Sequence, residues 1–292
     1  MSKGVQMKKL CLKLAMMVLT LTVITGCKEN ASSKTSKVDK NAEVTIYLTR
    51  HGKTMLNTTD RSQGWIDAPL TPAGIEIAES LGKGLKAEKV TFDAVYSSDS
   101  GRAVETANIV LKNSGQEDLL KKLKTDKRLR EVNFGTYEGM PNEEMWTVIA
   151  EKQGKTLEAF QASMAKDSFV NTIKGFTDTL HELDKAKLEG LAQKNKVPAA
   201  DVSWQAEDYQ TVIARSKSVL DDIVKEAQKN GQKNILVTSH GITIAALVSS
   251  LDEKVPVPAT GLKNASVSKI TWKDDKYKVE TVNDLTYVEK GK

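Results

Sequence analysis

Beyond residue 43, apolar positions fall into two kinds of run: short continuous stretches that read as buried strands, and longer interrupted ones that read as amphipathic helices. Val44 to Leu48 is the first buried strand. Thr71-Pro72-Ala73 then opens a helix, with a hydroxyl cap followed by proline at the first helical position, and this helix continues to about Lys86. Phe92 to Tyr96 is a second short strand, followed by a helical stretch from about Gly101 to Lys112. Strand, helix, strand, helix in that order implies a parallel sheet. From Pro141 to about Lys229 the pattern is almost wholly helical, with mixed charges on most faces and interruptions near Gly154, Gly175 and Val197-Pro198. Asn234 to Thr238 is another buried strand; it ends at Ser239-His240-Gly241, and an apolar helix follows from Ile242 to Leu251. Ser266 to Trp272 and Tyr277 to Val282 alternate around Asp274-Asp275, the pattern of a hairpin at a sheet edge. There is no internal repeat.

The predicted fold is therefore α/β: a mostly parallel sheet flanked by helices on both faces. Residues 141–204 are too long for a simple crossover between strands. They predict a helical insertion that caps the ligand edge of the sheet.

The start of the chain follows a different pattern. Lys3, Lys8, Lys9 and Lys13 precede an uncharged run from Leu14 to Ile24, which ends in Thr25-Gly26-Cys27. Such a run is short of the ~20 residues that an ordinary membrane-spanning helix needs. A basic start, a short apolar core and small residues before a cut predict a secretory signal over residues 1–26. Ile24-Thr25-Gly26-Cys27 resembles a bacterial lipobox, which implies lipid attachment at Cys27 and a protein anchored outside the cytoplasm. Residues 27–42 are rich in Ser, Lys and Asn with almost nothing apolar, so they predict a flexible tether. The folded domain is then expected over 43–289, about 250 residues, enough for one large core.

This leader changes how composition is read. The 43 basic and 38 acidic residues leave a formal charge of +5, but +1 once the leader's four lysines are set aside. Overall charge thus argues against nucleic acid as a partner, and runs such as Lys121-Lys122-Leu123-Lys124 read as solvated surface. Of two cysteines, Cys11 lies within the signal and Cys27 is the lipid site, so neither a disulfide nor a thiolate metal site is expected in the fold.

The chemistry gathers at strand ends. Arg50-His51-Gly52-Lys53-Thr54 sits where the first strand runs out into a loop, at the carboxyl end where open α/β sheets build ligand sites. Two of the three histidines, His51 and His240, each stand just after a strand and just before a glycine. If those strands are neighbours, both imidazoles enter one crevice; an imidazole beside a permanent cation suits phosphoryl chemistry. His181, in a charged helical stretch, reads as structural.

The full series of motifs resembles the histidine phosphatase superfamily in its phosphoglycerate-mutase-like branch, over about Val44 to Tyr287 and most weakly across the insert. It comprises Arg50-His51-Gly52-Lys53-Thr54 with Asn57, Gln63-Gly64 with Asp67, and Pro69-Leu70-Thr71-Pro72-Ala73-Gly74. Ser97-Ser98-Asp99-Ser100-Gly101-Arg102-Ala103-Val104-Glu105-Thr106-Ala107 follows, then Leu129-Arg130-Glu131, Phe134-Gly135, Tyr137-Glu138-Gly139 and Ser239-His240-Gly241. The resemblance implies a nucleophile at His51 that forms a phosphohistidine, a general acid and base at Glu131, and phosphoryl contacts from Arg50, Arg102 and His240. Cations beside His51 disfavour its protonated form, and guanidiniums bind phosphoryl oxygens through paired hydrogen bonds. Glu138 competes for the acid role by residue type, and Glu105 offers Arg102 an ion-pair alternative. Asn57, Gln63 and Gly64 are expected either to donate to substrate or to stabilise their loops. Trp65, Trp146 and Trp204 read as packing residues. The Gly-Glu-Ser group often found before the last catalytic strand is replaced by Gln205-Ala206-Glu207-Asp208.

The expected activity is hydrolysis of a small-molecule phosphate monoester without cofactor or metal, since no acidic cluster has ligand spacing. The RHGxRxP and His-Asp pattern of the phytase branch is absent. A phosphoglycerate-type mutase and a non-catalytic phospholigand-binding lipoprotein are the alternatives.

Overall fold

A computed structural model describes residues 42–166, 169–258 and 260–292. The signal, Cys27 and the tether up to residue 41 lie outside the described residues. Six strands are present among those described: β1 (Val44–Arg50), β2 (Ala94–Ser97), β3 (Lys124–Thr125), β4 (Asn234–Ser239), β5 (Val267–Lys273) and β6 (Lys276–Asp284). The helices are α1 (Met55–Thr58), α2 (Pro72–Ala87), α3 (Gly101–Asn113), α4 (Asn142–Lys152), α5 (Leu157–Lys166), α6 (Phe169–Asn195), α7 (Tyr209–Asn230), α8 (Gly241–Leu251) and α9 (Thr286–Lys290). No described helix is long and apolar enough to cross a membrane.

The strands form one sheet in the order β3-β2-β4-β1-β5-β6. The first four are parallel, and β5 and β6 add an antiparallel edge. β1, β2 and β4 carry buried apolar side chains on both sides, because both faces are covered, whereas β3 at the edge is exposed. Val44, Ile46, Leu48, Ile235 and Val237 point to the face where α7 and α8 pack, through Val219, Ile223, Ile244 and Val248. Tyr47, Val95 and Leu236 point to the opposite face, against Leu81 and Leu85 of α2, Val110 and Leu111 of α3, and Val288 of α9. Each such side chain contributes roughly 1.5–3 kcal/mol by leaving water. The two-sided α/β architecture agrees with the expectation from the apolar runs.

Local signals hold at several ends. Thr71 caps α2 by accepting from the Gly74 N–H at 3.1 Å, with Pro72 opening the helix. Asp208 caps α7 through the Thr211 N–H at 2.7 Å, and Gly231 ends it with a left-handed φ of 66°. The β5–β6 turn places Asp274 and Asp275 at φ 50° and 59°, the two left-handed residues that a type I′ hairpin requires.

Other expectations need revision. Gly175 does not interrupt the insert: α6 runs through it without a break. Ile173 and Phe176 on either side are buried in a cluster of α4, α5 and α6 side chains, and the Gln153 amide donates to the Gly175 carbonyl. That packing outweighs the ~1 kcal/mol by which glycine disfavours a helix. Two elements had no readable pattern. β3 is two residues long, paired to β2 at Tyr96 and Ser97, and α9 is a single turn-and-a-half packed against α2.

That last contact is close. A Cβ at Gly84 of α2 would lie 1.6 Å from the Tyr287 carbonyl oxygen. Gly84→Ala is expected to lower stability by about 1–3 kcal/mol, the usual effect of overpacking against backbone. Its urea midpoint measures this, and an unchanged midpoint would contradict the packing of α9 described above.

Candidate active site

β1 and β4 are adjacent and parallel, with Arg50 opposite Ser239. The next residue on each strand is a histidine, so both imidazoles leave the same edge. Their ring centroids stand 5.2 Å apart at 60°. His51 is held by its backbone N–H on the Ser239 carbonyl at 3.1 Å. The following Gly52 donates to the Thr106 hydroxyl at 2.9 Å, and a Cβ there would come within 2.5 Å of the Gly74 carbonyl oxygen. Only glycine lets the chain pass this close to the first turn of α2.

His51 Nδ1 lies 2.7 Å from the Gly52 carbonyl oxygen. A carbonyl can only accept, so this contact assigns the proton to Nδ1 and leaves the lone pair on Nε2. The ring is 3 % exposed, and His240 is fully buried with neither ring nitrogen hydrogen-bonded within the described residues. Burial, then the Arg102 and Arg50 guanidiniums, hold the His51 pKa well below the ordinary histidine value. His240 is held low by burial, then by Arg102 and by His51. Both imidazoles are thereby kept neutral.

The two arginines are anchored from behind. Arg50 donates through Nη1 to the Leu262 carbonyl, and its Nε has no partner. Gly241 leaves room for it: a Cβ there would sit 3.3 Å from Nε. Arg102 is buried, with Nη1 on the Ile66 carbonyl and the Asp67 carboxylate, both at 2.9 Å, and Nη2 on the Gly64 carbonyl at 2.7 Å. Its ion partner is Asp67, not Glu105, and its Nε also remains without a partner.

Loop residues divide by where their polar groups point. Gln63 accepts from the Thr54 hydroxyl at 2.6 Å, and its buried Nε2 has no partner, so it keeps a donor for a ligand. Asn57 accepts from the Thr54 N–H in a capping box, and from Asn264 Nδ2 at 3.4 Å. Of the two roles expected for Gly64, its contacts fit loop stabilisation: its N–H goes to Glu138 at 3.0 Å and its carbonyl accepts from Arg102. Glu138 accepts from four backbone N–H groups, of Gly64, Trp65, Ile66 and Phe134. Burial pushes its carboxyl above the ordinary value against those four donors. It braces the loop and does not line the cavity.

Glu131 does line it. Its Oε1 accepts from the N–H groups of Val132 and Thr243 and from the Thr243 hydroxyl, and Oε2 accepts only from the Ile242 N–H at 3.0 Å. Ile242 and Thr243 belong to the first turn of α8, where the helix favours negative charge. The backbone of this segment is pinned by Arg215, which donates to the carbonyls of Arg128, Arg130 and Glu131 and pairs with Glu207 at 2.7 Å. Trp65 Nε1 also donates to the Glu131 carbonyl at 3.1 Å. Glu207 further accepts from the Asn133 N–H, so the altered Gln205-Ala206-Glu207-Asp208 segment still ties the insert's end to Glu131. Arg215 was not singled out in the sequence, where it sits in a helix of mixed charge like any solvated cation.

A cavity of about 440 Å³ opens in front of these groups. Arg50, His51, Asn57, Gln63 and Glu131 form one side; Met145 and Trp146 of α4 with Ile173 and Phe176 of α6 form another. His240, Arg102 and Gly64 are not among the residues that line it. Trp65 and Trp204 are exposed, and His181 is occupied by the Ala206 carbonyl and Gln205.

The buried histidines give a pH signature. An unfolded chain takes protons on them near pH 6.5, whereas the folded chain resists, so stability is full above that value and falls as pH drops below it. Each histidine contributes a slope of up to about 1.4 kcal/mol per pH unit. Urea denaturation at pH 7, 6 and 5 should show a shallower loss in His240→Asn than in the unaltered protein; equal slopes would contradict burial in the neutral form.

Comparison with known proteins agrees with this geometry. The profile of the histidine phosphatase superfamily (branch 1) matches residues 46–187 and 171–285. The chain is 30 % identical over 238 residues to a 2,3-bisphosphoglycerate-dependent phosphoglycerate mutase of Neisseria meningitidis, covering 80 % of this chain and 96 % of that one. A crystal structure of phosphoglycerate mutase from Bacillus anthracis is 41 % identical with a TM-score of 0.72, over 86 % of this chain and 98 % of that one. A phosphoserine phosphatase of Entamoeba histolytica, 21 % identical over 84 % of this chain and 99 % of its own, shares the fold with a TM-score of 0.57. With paired strand-end histidines between two guanidiniums and a profile match across nearly all of the described fold, the chain belongs to branch 1 of the histidine phosphatase superfamily, in its phosphoglycerate-mutase-like form.

Proposed function

We propose that the protein is a phosphomonoester hydrolase that works through a phosphohistidine on His51. One observation carries this reading: the Nδ1 contact to Gly52 leaves the Nε2 lone pair free on a ring that burial and two arginines keep neutral. In the first step Nε2 attacks phosphorus, the N–P bond forms and the ester P–O bond breaks. Arg50 Nε, Arg102 Nε, Gln63 Nε2 and His240 are the groups with hydrogen-bonding capacity left for the phosphoryl oxygens. Glu131 gives a proton to the leaving alkoxide, then takes one from the water that hydrolyses the phosphohistidine. Oε2, which has a single donor against three on Oε1, is the oxygen with capacity to carry that proton. Four cationic or neutral donors around one phosphoryl group make a metal unnecessary to this scheme.

The relatives named as phosphoglycerate mutases favour a second reading, in which the phosphoryl group returns to the organic product instead of water. We prefer hydrolysis because the leader argues for export, and phosphoglycerates are cytosolic. In the same proposal residues 1–26 are an export signal, Cys27 carries the lipid, 27–42 is the tether, 43–289 is the phosphatase domain and 141–204 is its cap.

Rapid quench of the full-length protein with a phosphate monoester should trap acid-labile phosphate on His51, with turnover that is insensitive to EDTA and lost at least 1,000-fold in His51→Ala, on the order of a missing nucleophile. Activity surviving that substitution overturns the mechanism. Release of inorganic phosphate from 3-phosphoglycerate supports the hydrolase, and an isomeric phosphoglycerate supports the mutase. No turnover of any ester leaves the phospholigand-binding alternative. Separately, Cys27→Ser is expected to move the protein from the membrane to the soluble fraction on cell fractionation; unchanged membrane association would remove the lipid anchor.

A further inference from the structure

The cavity is polar at the sheet edge and apolar where the helical insert closes it. Met145 and Phe176 are buried, as is Ile173 beside them, and Trp146 completes this wall. The aromatic rings hold one another: Phe134 and Phe176 meet edge to face with centroids 5.9 Å apart, and Trp146 lies 5.7 Å from Phe176. Such ring contacts fill the wall with apolar surface.

Charge is confined to the other side. Among the described residues, the charged side chains lining the cavity are Arg50, Arg61 and Glu131. Arg50 and Glu131 are committed to the phosphoryl group and the proton. Arg61 is exposed at the rim and donates to the Gly139 carbonyl. A carboxylate or a polyhydroxyl group pressed on Met145, Ile173 and Phe176 would lose water without a partner. Two polar side chains of the insert also line the cavity: Asn142 at the start of α4, whose amide donates to Asp60, and Thr172 of α6, whose hydroxyl is buried and without a hydrogen-bond partner.

We infer that the alcohol portion of the substrate is apolar, an alkyl chain or ring reaching along α4 and α6, with room for one hydrogen-bonding substituent at Thr172. This rests on the phosphatase reading above and adds the substrate class to it. Phosphate monoesters of apolar alcohols are then favoured over phosphoglycerates and sugar phosphates.

The test is a series of n-alkyl phosphates from ethyl to octyl, whose leaving groups have nearly the same basicity, offered to the full-length protein beside 3-phosphoglycerate. The value of kcat/KM should rise about 4-fold per methylene until the cavity is filled, the increment expected for burying one CH₂. Hexyl phosphate should exceed 3-phosphoglycerate by at least tenfold. Ile173→Asn, which puts an amide on the wall, should flatten the rise; if that variant does not fold, the series on the unaltered protein decides. A flat series, or a preference for 3-phosphoglycerate, overturns the inference while His51-dependent hydrolysis stands. Absence of hydrolysis across the whole panel overturns the phosphatase reading and this inference with it.

Discussion

Parallel pairing of β1 with β4 is the constraint on which the site depends. It sets Arg50 opposite Ser239 and delivers the next residue of each strand, both histidines, to the same edge. A slip of one residue would send an imidazole to the opposite side of the sheet, because side chains alternate along a strand. The register is protected by the core: Val44, Ile46 and Leu48 must face α7 and α8 while Tyr47 faces α2, and a slip would exchange these sets. The energy that fixes the imidazoles thus comes from apolar packing well away from them.

Burial of two imidazoles between two guanidiniums costs stability and is held in place by neutral partners. Carbonyls of Gly64, Ile66 and Leu262 accept from the arginines, and Asp67 supplies the one acidic partner of Arg102. Arg50 has no ion pair among the described residues, and the Glu131 carboxylate acts on both guanidiniums from a distance. The Nε groups of both arginines are left as unused buried donors, of the kind that bind an anion.

Elements and residues defined by local pattern were legible in the sequence. The parallel strands showed as short apolar runs, α2 by its Thr71-Pro72 start, and the two histidines by their matched settings before glycine. Glu131, Arg102 and Gln63 came from the resemblance of ordered motifs to a family, not from chemistry visible at each position. What stayed hidden depends on partners distant in the chain. Arg215 reaches back more than 80 residues to the carbonyls of Arg128 to Glu131. Asn264 donates to the His51 carbonyl from a loop over 200 residues away. Gly64 turns its N–H to Glu138 because the loop closes on that carboxylate, and α6 ignores Gly175 because its neighbours are buried. No local periodicity encodes contacts of this kind.

The side chains of α4, α5 and α6 form a core of their own with Val132, Phe134, Tyr137 and Ala246, apart from the two clusters that flank the sheet. The two histidines and Arg50 are fixed by the sheet clusters, whereas the apolar wall is packed by this third one, which also holds Val132 beside Glu131. Mutations that reshape the wall can therefore accumulate without disturbing the strand register. A chain with this scaffold can reshape one wall of its cavity while its strand-end histidines and Arg50 stay where the sheet register puts them.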